Sequence, residues 1–117
     1  MSDNDLSPPR RLASPAHQIW DSHARRIDAE GRWGQVDHDT LAAYCETTAM
    51  YLECLRAVEE QGVLVSGRTA GQLVKNPVST VLHQTRDAML RLARAVPLVD
   101  RKAAVEHAEF LRFLEED

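Results

Sequence analysis

Aromatic side chains are scarce. Two Trp, two Tyr and two Phe make up 5% of the 117 residues, which excludes a broad core built on large anchors. The two cysteines, Cys45 and Cys54, are too few for a disulfide framework and form no metal motif. Nine residues apart on one helix, they would stand about 13 Å apart in rise, beyond the reach of a disulfide. No apolar run approaches the ~20 residues of a membrane helix. The opening MSDNDLSPPRR has no apolar stretch behind it, so no secretory leader and no membrane partner are expected. A glycine-lysine phosphate loop, a GxSxG elbow and an HExxH pair are all missing. His17 and His23 fall on different helical faces, and His38 sits in a turn. No cofactor, no metal and no catalytic residue are therefore expected, and the reading is of a non-enzyme in a reducing compartment.

An excess of basic charge is also lacking. Eighteen acids against fourteen Lys and Arg give a net charge of −4, which rules out a uniformly basic nucleic-acid binder. The distribution is more informative. Residues 1–36 carry five Arg and five acids, and residues 37–62 carry six acids and only Arg56. Residues 63–104 carry seven bases against Asp87 and Asp100, and residues 105–117 carry five acids and Arg112. Blocks of this kind attract one another or face a charged partner.

Residues 1–13 are polar, contain Pro8-Pro9 and Arg10-Arg11, and read as a flexible N-terminal arm. Ser14-Pro15 has the chemistry of a helix start. Ala16, Ile19, Trp20, Ala24 and Ile27 then recur at helical spacing, and Gly31 supplies a stop. Residues 14–36 form an N-terminal helical region. Asp37 or Asp39 can cap a second helix, which runs to Gly62. Its stripe of Leu41, Tyr44, Cys45, Thr48, Tyr51, Leu52, Leu55 and Val58 spans about 140°. Val63-Leu64-Val65, a turn-forming stretch, and Gln72-Leu73-Val74-Lys75 predict a β-hairpin over 63–75. Asn76-Pro77 restarts a helix with Val78, Val81, Leu82, Thr85, Met89, Leu92 and Val96 on one face, ending at Pro97. A C-terminal helix is expected within residues 98–117.

The predicted fold is mainly α: a long antiparallel helical hairpin over 37–97 with the β-hairpin between its arms, flanked by an N-terminal and a C-terminal helix. Two long helices bury one stripe each and leave apolar surface uncovered, so association with copies of the same chain is expected. Asp39, Glu46, Glu53 and Glu60, seven residues apart, form an acidic stripe beside Tyr51 and Leu55. These six are the candidate oligomerisation residues. Two basic sets are candidates for DNA phosphates. Arg10, Arg11, Arg25, Arg26 and Arg32 surround a short helix that could belong to a helix-turn-helix. Arg86, Arg91 and Arg94, with His83, lie opposite the apolar stripe of the third helix. The structural alternatives are a first helix packed on the hairpin through Trp20 and Trp33, and arginines paired with the acidic stripe.

The order of several segments resembles the phage terminase small subunit. They are Trp20, Gly31-Arg32-Trp33-Gly34-Gln35-Val36-Asp37-His38-Asp39, Leu41-Ala42-Ala43-Tyr44-Cys45-Glu46 with Tyr51 and Leu52, Glu60-Gln61-Gly62-Val63-Leu64-Val65, Lys75-Asn76-Pro77-Val78 and Val96-Pro97-Leu98-Val99-Asp100-Arg101. The resemblance spans roughly residues 14–104. It implies a non-catalytic protein that recognises the packaging site on double-stranded viral DNA and delivers it to the large subunit, the ATPase and nuclease. It also implies a ring of about eight to ten identical copies, acting in the host cytoplasm and not expected in the mature virion. A reading of a different class is a small helical adaptor that holds a protein partner through the hairpin.

Overall fold

The computed structural model describes residues 3–100 and 112–114. Three helices and one β-hairpin follow in order. Helix α1 spans Ser14–Ala29, α2 spans His38–Gln61 and α3 spans Val78–Ala95. A single 3-10 turn, Trp33–Gln35, links α1 to α2. Strands β1, Leu64–Ser66, and β2, Leu73–Lys75, pair antiparallel with Val65 opposite Val74. The expected C-terminal helix lies outside the described residues except at 112–114, which are helical.

Local chemistry sets the ends of these elements. Pro15 stands in the first turn of α1, where its missing N–H costs nothing, although Ala13 rather than Ser14 occupies the cap position. The Asp37 carboxylate caps α2 by accepting from the Thr40 N–H at 2.9 Å and from the Thr40 hydroxyl at 2.5 Å. Those bonds hold the Asp37 carboxyl below its ordinary value. Gly31 and Gly62 end α1 and α2 with φ of +74° and +87°, a region that disfavours side chains. Asn76 is buried and closes the far end of the hairpin. Its side-chain amide donates to the Gly62 carbonyl at 3.0 Å, while its side-chain oxygen accepts from the Val78 N–H at 3.0 Å.

The start of α3 therefore sits beside the end of α2. At the opposite end Val96 and Leu98, just past α3, join the core formed by α1 and the first turns of α2. The two long helices thus run antiparallel, as expected. The core is confined to this one end. Ala16, Trp20, Ala24 and Ile27 of α1 pack with Trp33, Val36, Leu41, Ala42 and Cys45. Burial pushes the Cys45 thiol up to about 12, with the neighbouring Glu46 charge adding to the effect. Beyond Cys45, α2 has no buried residue.

Residues 3–13, expected as a flexible arm, form no helix or strand but touch this core through two leucines. Leu12 is buried and Leu6 is half-buried against the cluster. The physical reason lies in the indoles. A buried Trp needs an acceptor for its N–H, and the arm supplies both: Trp20 donates to the Leu6 carbonyl at 2.7 Å and Trp33 to the Asp5 carbonyl at 3.2 Å. Arg10 completes the attachment through an ion pair with Glu46 of α2.

Candidate nucleic-acid interface

The five arginines around α1 have separate fates. Arg32 is buried, although its neighbours Gly31 and Gly34 are exposed. Its guanidinium donates to the Pro97 carbonyl at 3.1 Å and to the Leu98 carbonyl at 3.0 Å. Arg26 donates to the same Leu98 carbonyl at 2.8 Å. Both arginines also reach Glu30, Arg26 at 2.6 Å and Arg32 at 3.3 Å. Partial desolvation works to raise the Glu30 carboxyl, but the hydrogen bonds from Arg32 and Arg26 outweigh it and leave it below its ordinary value. This cluster joins the α1–α2 turn to the chain leaving α3. Arg10 is engaged by Glu46. Arg11 and Arg25 are exposed and make no ion pair among the described residues.

Two aromatic contacts lock the region. Trp20 and Trp33 meet edge to face with centroids 5.8 Å apart, and Trp33 stacks on His38 at 4.1 Å. The α1 segment is thus packed on the hairpin through Trp20 and Trp33, which is the structural alternative that the sequence left open. α2, the second helix of the supposed helix-turn-helix, turns an acidic face outward: Asp39, Glu46, Glu53 and Glu60 are all exposed. Such a face repels phosphates. Tyr51 and Leu55 are half-buried along the same helix.

On α3, His83, Arg86, Arg91 and Arg94 are exposed, while Leu82, Thr85, Met89 and Leu92 turn inward. Arg91 and Arg94 line a shallow depression together with Asp87 and Leu90. Arg86, Arg91, Glu53 and Glu60 make no ion pair among the described residues.

The Arg32 clamp and the packed arm were hidden in the sequence. Arg32 stands 65 residues from Pro97, and Arg10 stands 36 from Glu46. Leu6 and Leu12 offered the only signal that the arm has something to bury. Among the described residues no helix is long and apolar enough to cross a membrane, and no group of three His, Cys, Asp or Glu side chains could hold a metal.

A family model of the phage terminase small subunit matches residues 16–98, which contain α1 from Ala16 onward, both arms of the helical hairpin and the β-hairpin. The chain belongs to this family, and its role lies in phage DNA packaging. Members are generally non-catalytic DNA-binding proteins. No curated protein and no solved structure matches the chain.

Proposed function

We propose that this small terminase subunit assembles into a ring of about eight to ten copies, binds double-stranded viral DNA at the packaging site, and hands it to the large ATPase and nuclease subunit in the host cytoplasm. It catalyses nothing itself in this reading. The observation that carries the proposal is the uncovered hairpin. Met50, Leu52, Val81 and Leu90 on the long helices, and Val63, Leu64 and Leu73 at the tip, are each more than 40% exposed. Apolar surface on this scale calls for a protein neighbour. The acidic stripe Asp39, Glu46, Glu53 and Glu60, with Tyr51 and Leu55 beside it, is the natural assembly face.

DNA binding by a chain of net charge −4 follows from repetition. One set of weak phosphate contacts per copy adds up through effective concentration once the copies are joined. Arg11 and Arg25 are the strongest DNA candidates of the α1 region, because Arg10, Arg26 and Arg32 already hold partners within the chain. Replacing both Arg11 and Arg25 by Ala is expected to weaken binding to a duplex by roughly tenfold or more and to flatten its salt dependence. A gel-shift titration across salt concentrations measures both. Unchanged affinity in dilute salt would move the contacts away from the α1 region.

A further inference from the structure

A groove of about 530 Å³ runs between the start of α1 and the middle of α2. Pro15, Ala16, Ala49, Met50 and Leu52 line it together with Glu46, Glu53 and Arg56. Met50 is 51% exposed and Leu52 47%, so no described residue covers them. Arg10 already satisfies Glu46 at one end, while Glu53 and Arg56 make no ion pair among the described residues. The outer face of α3 carries the complementary set. Leu90 protrudes, 42% exposed, beside Asp87 and Arg91.

We propose that this groove receives the outer face of α3 from a second copy of the chain, with Leu90 seated against Met50, Arg91 against Glu53 and Asp87 against Arg56. Charge complementarity selects the occupant. Along α2 the acid comes first and the base three residues later, a rise of about 4.5 Å. Along α3 the acid precedes the base by four residues, a rise of about 6 Å. Laid antiparallel, the two orders set unlike charges opposite each other at both points. The lone base of the groove then meets the lone acid of the α3 face.

This contact rests on the proposed assembly and specifies it. It is head-to-tail: a copy that lends its α3 keeps its own groove open for the next, and such a contact either closes into a ring or extends without end. It also assigns Arg91 to the joint between copies rather than to DNA.

The test uses the full chain at about 10 µM, where association is set by mass action, with light scattering after size exclusion. Met50→Arg spoils only the groove, and Leu90→Asp spoils only the inserted face. Each variant alone is expected to run as a single chain with wild-type helicity. Mixed in equal amounts, they are expected to form a dimer and nothing larger, because one intact groove meets one intact α3 face. Two charge reversals provide the check should either apolar variant fail to fold. Glu53→Arg and Arg91→Glu should each weaken association at least about tenfold, and the double variant should regain it. Variants that assemble like the wild type, or spoiled copies that never pair on mixing, would overturn the proposed contact while leaving assembly by another surface intact. A wild-type chain that is itself monomeric would overturn both.

Discussion

His23 illustrates how one side chain reports the packing around it. It is half-buried on α1, edge-on to Tyr44 of α2 with ring centroids 5.4 Å apart. Arg26 lies 3.3 Å from its Nδ1 and can only donate, so that nitrogen must be unprotonated. Burial, and then the Arg26 charge, push the His23 imidazole below its ordinary value of 6.5. The unfolded chain therefore takes up the proton first as pH falls. The stabilising contribution is complete above 6.5 and is lost as pH falls from there through the lowered folded value. Thermal melts from pH 7.5 to about 5 are expected to show a falling Tm, and His23→Gln is expected to flatten that slope. A variant that loses stability in parallel with the wild type would assign the slope to other groups. The indoles give a second report at this scale. Both Trp N–H groups are bonded to arm carbonyls, so the fluorescence of this two-Trp chain senses the seating of residues 3–13.

At the scale of elements, Arg32 ties the α1–α2 turn to the exit of α3. Arg32→Ala would leave the Pro97 carbonyl without its partner and take one of two donors from Leu98. The expected cost is about 2–3 kcal/mol, or a fall in Tm of roughly 10 °C for a chain of this size. Calorimetry checks it, and a parallel gel shift separates the two readings of this residue. A DNA-contacting Arg32 would lose affinity with little change in Tm. Most of the elements were legible locally. Pro15, Asp37, Gly62 and Asn76-Pro77 marked the helix ends, and the stripe of Ala16, Trp20, Ala24 and Ile27 marked the buried side of α1. The candidate site was less legible, because an arginine's partner decides its role. A guanidinium that bonds backbone carbonyls 65 residues away looks, in sequence, like one that waits for phosphate. The contacts of residues 3–13 were hidden for a related reason: two of them are made by main-chain carbonyls, which carry no residue signature.

The described residues are too open for a finished globule. Their radius of gyration is 19.1 Å and their extents are 60 × 49 × 19 Å, whereas a compact chain of this length has a radius of about 13–14 Å. The core occupies one end, and the rest of the hairpin exposes apolar and charged side chains. Surface ion pairs contribute only about 0–1 kcal/mol each, so in the proposed assembly unlike charges between copies would fix the register while buried apolar area would hold them together. A ring of such copies repeats every exposed arginine around its circumference, which is what a weak phosphate contact needs in order to act collectively. Light scattering on the wild-type chain, alone and with a duplex in dilute salt, tests this most directly. The account predicts a mass about eight to ten times 13.1 kDa, and a complex with DNA that dissolves as salt rises. A 13.1 kDa species that stays single at micromolar concentration and leaves the duplex unbound would contradict it.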